Sequence, residues 1–276
     1  MIARDLNDEQ AILIRQQDHA DLAAQFASHW GNTDFSRSDH FDSVICAAGC
    51  HDDHFRDVEA LPPIDAAHGR PFGHRTTPFS ASHLDALQHN VAWIGQRDRY
   101  AALLVSMHHT GLPQNRYGII NSWQNGGGKS AAKRQIRPEV AAFIEKMEQS
   151  QRAVVEELGH NATTDKKQLW FNYRLLQLFD LLSLYLCCDG YADGQLAEVT
   201  LGPIPVALGS DQEINIRIVP GGDGLLRLDP YPFDRQSLKV SVMTRVVPRL
   251  VGHTEAECRA EYARSPRESL TWMITS

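Results

Sequence analysis

Histidine dominates the chemistry available to the first part of this chain. Of 13 histidines, 11 fall within the first 109 residues. Imidazole is the commonest neutral metal ligand and titrates near pH 7, so metal binding and acid–base work are both open, and spacing must decide. His19 shares a helical period with Leu22, Ala23, Phe26 and Trp30, His51 with Val44, Ala47, Ala48 and Phe55, His83 with Leu87, Val91 and Ile94, and His108 with Ala101 and Leu104. Apolar residues at i, i+3, i+4 and i+7 mark the face that a helix turns inward, and each of these histidines lies on that face. A single buried imidazole is satisfied by one hydrogen bond. Four of them, one per helix, each need a polar partner in a core otherwise made of Leu, Ala, Val and Phe.

Asp180 sharpens the point. It is the only carboxylate between Asp165 and Asp189, inside the run LLQLFDLLSLYL. Ionised there, it costs several kcal/mol unless it is paired or bound to a metal. Arg174 stands six residues away, which is poor pairing geometry on a helix. A metal ion that takes imidazoles from the other helices satisfies the carboxylate and the histidines together. The ligands offered are nitrogen and oxygen without thiolate, a set that suits iron, manganese or another borderline ion.

These side chains need a helical frame, and the sequence supplies one to about residue 190. Residues 11–15 read as a short strand or the first turn of a helix. Helical periods follow over about 18–30, 43–60, from Ser80 or Ser82 through Ile94, 98–109, 138–159 and 167–188, with Pro138 suited to a first turn. The stretch 64–78 is a Gly/Pro-rich structured loop. Residues 111–137 lose all periodicity and contain NGGGKS, which reads as a mobile loop able to close over the site. The 167–188 segment is apolar nearly all round, but Asn172, Arg174, Gln177 and Asp180 interrupt it, so it reads as a buried central helix and not as a membrane span. Alternation then takes over in 213–219, 224–233 and 238–247, the first two joined by the hairpin signal Pro220-Gly221-Gly222-Asp223, and a helix at 254–264 closes the chain. The expected fold is mainly α: a helical metal-binding unit over 1–190, with a small C-terminal antiparallel β-sheet and terminal helix over 191–276 packed on it.

Composition narrows the partners. With 42% hydrophobic and 22% charged residues the chain has ordinary globular usage, which excludes disorder, collagen and coiled coil. A net charge of −7 argues against nucleic acid. Five cysteines, an odd number without a CxxC, point to a reducing cytoplasm, and MIARDLNDEQ lacks the features of a secretion signal. Cys46 and Cys50, one turn apart, read as buried small hydrophobes. There is no GxSxG, and Gly126–Ser130 lacks phosphate-loop spacing. The expected partner is a small-molecule substrate, with neither nucleic acid nor membrane, and a homo-oligomer is open.

The order His19, His51-Asp52, His83, His108, Asp180 resembles the H…HD…H…H…D pattern of the HD-domain superfamily, in its six-ligand dinuclear form, over residues 18–190. The resemblance implies a bundle whose successive helices supply the ligands, with Asp52 bridging two metals. His19 and Asp180 would complete one sphere, and His83 and His108 would hold the second ion. It also implies either a non-haem diiron oxygenase acting on a small polar substrate or a metal-dependent phosphohydrolase or phosphodiesterase. The chain departs from the pattern in places. Phe55, with Arg56 beside it, stands where many members have Lys, and no GYP follows His108-His109. His109 is an alternative to His108. The missing Lys and the acidic balance favour oxygen chemistry with two ions, iron first and manganese second. Asp52, His54 and Arg56 are then the candidate catalytic residues, and Arg56, Lys129, Tyr173 and Arg174 the candidates for substrate contact. Trp170, Phe171 and Tyr173 are candidates to wall a dry pocket. A non-catalytic binding module with structural histidines is the third reading.

Overall fold

The computed structural model describes residues 1–114, 120–121, 136–159, 163–192 and 194–276. Its helices are Gln16–His29 (α1), Phe41–Cys50 (α2), Arg56–Ala60 (α3), Ala81–Gly95 (α4), Arg99–Gly111 (α5), Pro138–Glu157 (α6), Thr163–Leu184 (α7) and Glu255–Arg264 (α8). The periodicity explains most of them. α1 buries His19, Leu22, Ala23 and Phe26, and α2 buries Phe41, Val44, Ala47 and Ala48. The Asp98 carboxylate accepts from the Ala101 amide at 2.9 Å and starts α5. α7 is the central rod and continues as a π-helical turn, Tyr185–Asp189. Tyr173, Leu175, Leu176, Leu178 and Phe179 are fully buried on it. No described helix is long and apolar enough to cross a membrane.

The expected single helix over 43–60 is broken. α2 stops at Cys50, a 3₁₀ turn covers Asp53–Phe55, and α3 follows. On an unbroken helix neighbouring side chains diverge by about 100°, so Asp52 would turn away from His51. The break brings its carboxylate back beside the His51 ring. Cys46, expected buried, is exposed, and Cys50 is half-buried with its thiol donating to the Cys46 carbonyl at 2.8 Å.

The sheet overturns the expectation of a mainly α protein with a small C-terminal antiparallel sheet. Strands Ile2–Asp5 (β1), Gln10–Ile14 (β2), the two-residue Ile120–Asn121 (β3), Val199–Pro205 (β4), Glu213–Gly222 (β5), Leu225–Asp229 (β6), Ser237–Pro248 (β7) and Glu268–Thr275 (β8) form one curled sheet. Its order is β1-β2-β7-β8-β6-β5-β4-β3. It is mixed, because β6 and β8 run parallel with Leu225 beside Met273. The N-terminal strands enter through β2, where Ile14 lies opposite Thr244 of β7. Two strands were hidden for different reasons. β4 carries Gly202, Pro203 and Pro205, which erase a strand signal. β8 alternates Leu270, Trp272 and Ile274 plainly, but only pairing with β7 makes it part of a larger sheet.

Helix and sheet are joined by packing and by one polar clamp. The Gln25 side chain of α1 donates to the Ser241 carbonyl at 2.9 Å and accepts from the Ser241 amide at 3.0 Å. Phe26 stacks on Phe233 at 5.8 Å, and Trp30 meets the edge of Phe179 at 5.7 Å. Pairs of this kind contribute about 0.5–1.5 kcal/mol beyond their burial. The first pair holds α1 against the segment between β6 and β7, and the second holds the end of α1 against α7.

Candidate metal centre

Four ligand atoms meet where α1, the end of α2 and α7 converge. His19 Nε2 lies 3.2 Å from His51 Nε2, 3.3 Å from Asp180 Oδ1 and 3.5 Å from Asp52 Oδ2. His51 Nε2 lies 3.5 Å from Asp180 Oδ1 and 3.7 Å from Asp52 Oδ2. Ligands held at about 2.1 Å from a common ion stand roughly 3.0 Å apart in an octahedral shell and 3.4 Å apart in a tetrahedral one. The cluster has that spacing. Both histidines and Asp180 are buried, and Asp52 is nearly so.

The outer hydrogen bonds fix how the rings present themselves. His51 Nδ1 donates to the Ala48 carbonyl at 2.9 Å. The Ser183 hydroxyl spends its own hydrogen on the Asp180 carbonyl at 2.8 Å, so at 2.6 Å it accepts from His19 Nδ1. Each ring therefore turns a lone pair at Nε2 towards the other and towards two carboxylate oxygens. This is the way metal-binding imidazoles are oriented. Gln16 donates to Asp52 Oδ2 at 3.0 Å and holds that carboxylate in place.

Charge tells the same story. Burial drives the His19 pKa down, but hydrogen bonds and charge from Asp180 and Asp52 outweigh it and set the pKa at about 9. His51 is raised too, against burial, by Asp52 and Asp180. Burial opposes ionisation of Asp180, but His19 and His51 hold its carboxyl well below the ordinary range, and Asp52 is lowered in the same way. The pocket calls for positive charge among these four groups, which a bound cation would supply.

A second group shares Asp52. Asp52, His54 and His109 offer ligand atoms all within 4.8 Å of one another. His109 Nε2 donates to the His51 carbonyl at 2.8 Å, which leaves Nδ1 as the lone pair, buried and without a partner. Both ring nitrogens of His54 are likewise buried and unpartnered. Burial keeps His54 and His109 neutral, with His54 at about 3. Unpaired buried nitrogens are costly, and an ion at this second group would satisfy His109 Nδ1 and one nitrogen of His54.

A pocket of about 350 Å³ opens onto both groups. Phe55, Phe79, Leu84, Leu87, Val140 and Phe143 supply its apolar lining. A larger hollow of about 670 Å³ between α5, α6 and α7, by Met107 and Trp170, holds none of these ligands.

A family model described as "Protein of unknown function (DUF3891)" matches residues 1–249. The chain belongs to the DUF3891 family. No curated protein and no solved structure matches it. The resemblance to the HD-domain superfamily does not stand: the family match is to DUF3891, and the ligands sit in a frame with a large curled sheet instead of an HD helical domain.

The other expected site residues of the DUF3891 chain scatter. His108 Nε2 is 4.0 Å from Asp180 Oδ2, beside the first group, while His109 joins the second, so the two neighbours serve opposite sides of the cluster. His83 is half-buried, 5.0 Å from the His54 ring, and lines the pocket without belonging to either group. Arg56 points outward and pairs with Asp53 at 3.3 Å. Arg174 reaches Glu213 and the Pro203 carbonyl. Tyr173 is buried against Trp170 and does not line the pocket, and neither does Phe171. Lys129 and nearly all of the expected loop over 111–137 lie outside the described residues. Sequence reasoning missed Gln16 and Ser183. Their signal is spacing: Gln16 precedes His19 by three residues, and Ser183 follows Asp180 by three, one helical turn in each case.

Proposed function

We propose that this DUF3891 protein is a metal-dependent enzyme whose two ligand groups, sharing Asp52, form a dinuclear centre that uses O₂ on a small molecule held in the adjoining pocket. The supporting observation is the convergence of the His19 and His51 lone pairs on the Asp52 and Asp180 carboxylates within 3.2–3.7 Å. Iron bound by such nitrogen and oxygen donors would supply Lewis acidity and one-electron redox chemistry.

The chain's own residues do the rest. Gln16 and Ser183 hold Asp52 and His19 in ligand orientation. Phe55, Leu84, Leu87 and Phe143 keep water from the substrate. His83, half-buried and neutral through burial, stands where a proton can pass between pocket and solvent.

Two readings compete. Phosphoester hydrolysis is favoured by the shared carboxylate, which suits a two-metal clamp. Against it, no Lys or Arg lines the pocket among the described residues, whereas phosphate recognition calls for such groups. Oxygen chemistry needs no cationic wall.

The test is metal content followed by turnover. Elemental analysis of protein produced in iron-rich medium should find about two iron ions per chain, and the iron-loaded protein should consume O₂ with a substrate. A two-electron oxidation leaves two further electrons to be supplied to O₂, for which ascorbate is the added donor. Absence of any bound transition metal, or phosphoester turnover with no O₂ uptake, refutes the oxygenase reading.

A further inference from the structure

Two thiols outside the histidine cluster lie one turn apart on α2. Cys46 is exposed and Cys50 half-buried, and neither forms a disulfide. Side chains on a helix lean back over the preceding turn, and Cys50 does so: its Sγ stands 2.8 Å from the Cys46 carbonyl and 4.0 Å from that of Ala47. The lean carries the Cys50 sulfur towards its neighbour's. Rotation about the Cβ–Sγ bond swings the Cys50 hydrogen from the carbonyl to the Cys46 sulfur, and that hydrogen bond lowers the Cys46 pKa from 9.0 to about 7. An exposed sulfur that ionises near neutral pH is a ready ligand, because the thiolate and not the thiol binds metal.

Geometry decides what the pair can hold. A disulfide needs Cβ atoms about 3.5–4.5 Å apart, whereas residues four apart on a helix keep theirs about 5–6 Å apart. A direct bond would have to draw in the last turn of α2. That turn is tied down, because the Asn90 side chain donates to the carbonyls of Cys50 and His51 at 3.1 and 3.3 Å. A soft ion about 2.3 Å from each sulfur sets two sulfurs on opposite sides of it about 4.6 Å apart, which the helical spacing allows without moving the backbone.

Ligand number narrows the ion. Among the described residues, the groups of three or more histidine, cysteine or carboxylate ligand atoms are the two at the histidine cluster, and neither includes a thiol. Of the acids near Cys46, Asp53 pairs with Arg56 and Asp98 caps the Ala101 amide. Zinc asks for four ligands and finds two here. Soft thiolates select copper(I), whose filled d shell accepts linear two-coordination.

We propose that Cys46 and Cys50 form a surface site for one copper(I) ion, held linearly between the two sulfurs. Each sulfur gives an electron pair to the ion, and the thiol protons leave to water. The site shares no residue with the histidine cluster and stands or falls independently of the metal-dependent reading of it.

The test presents copper(I), as its coloured bicinchoninate complex, to the reduced full chain without oxygen. The wild-type chain should withdraw one ion more per chain than Cys46→Ser, and Cys46→Ser and Cys50→Ser should each weaken the binding of that ion at least about tenfold. X-ray absorption on the wild-type chain carrying one equivalent should find two sulfur neighbours and no nitrogen. Zinc(II) should bind the wild-type chain and Cys46→Ser alike. Cys46 is exposed, so its variant leaves the packing of α2 in place and keeps the test alive should the Cys50 variant fail to fold. No uptake of copper(I), equal uptake by wild type and Cys46→Ser, nitrogen neighbours in the absorption spectrum, or zinc(II) held more tightly by wild type than by Cys46→Ser overturns the proposal.

Discussion

His19 and His51 face each other Nε2 to Nε2 at 3.2 Å, and each has already committed its Nδ1 hydrogen, to Ser183 and to Ala48. Two neutral imidazoles so arranged repel, and the oxygens of Asp52 and Asp180 beside them add lone pairs without adding a donor. Either a proton or a metal ion must enter. Asp52 and Asp180 raise the pKa of both rings, so protons serve in the metal-free chain and a metal ion would have to displace them.

Conservative loss of a ligand should therefore remove metal without removing the fold. Asp52→Asn, in the second group and within 3.5–3.7 Å of both histidines of the first, is expected to lower metal content from about two ions to near zero, while His54→Ala should leave about one. Elemental analysis alongside circular dichroism checks this. Retention of both ions by the Asp52 variant would show that the carboxylate is not shared.

Ser183→Ala removes the hydroxyl that orients His19 and leaves all the proposed ligand residues in place. Loss of such an outer partner typically weakens metal binding by about 10–100-fold. Competition against a chelator measures it, and an unchanged affinity would mean that α7 packing alone positions the ring.

The pH dependence has a definite sign. His19 is raised from its ordinary 6.5 to about 9, and His51 is raised as well. A raised native pKa contributes stability that is complete below the unfolded value and is lost as pH climbs through the native one. Metal-free protein should thus lose stability between about pH 6.5 and 9, as read by denaturant midpoints. Metal must displace the same protons, so its affinity should rise over that window, by up to about tenfold per pH unit for each proton released. Affinity independent of pH would mean that the histidines are already deprotonated.

A control lies far from the cluster. Asp98→Ala deletes the carboxylate that caps α5 and should cost about 0.5–2 kcal/mol in chemical denaturation. Metal content should not change. A parallel loss of metal would show that the end of α5, with His108 and His109, depends on how that helix begins.

Leu104→Ala tests the packing of α5. Leu104 is fully buried on α5, and truncation of such a residue costs about 2–5 kcal/mol through lost burial and a cavity. A smaller cost would mean that the helices around α7 can close the gap.

Much of the side-chain cluster was legible in order and period. His19, His51 and Asp180 could be read because an apolar helical face with one polar residue states its own burial problem, and Asp52 because it adjoins His51 in the chain. The hairpin was legible from its glycines, although β5 runs on through Gly222 and the turn falls at Asp223 and Gly224, both at positive φ. Other features were not. His108 and His109 look like rivals along the chain, yet a helix end standing between two ligand groups can give one to each. Arg56 and Arg174 look available for substrate, and the fold sends both elsewhere, to Asp53 and to Glu213.

What the amino-acid order determined on its own was local: which faces of which helices are apolar, and which buried polar groups would need a shared partner. What the tertiary structure decided was every relationship that closes a long loop of chain. The break after α2 turns Asp52 and His54 inward beside α5, and the pairing of Ile14 with Thr244 carries the N-terminal strands into a sheet built mostly from the other end. The physical reason is that period reports the environment of a side chain, while the neighbour that supplies that environment is chosen by packing between segments far apart in sequence.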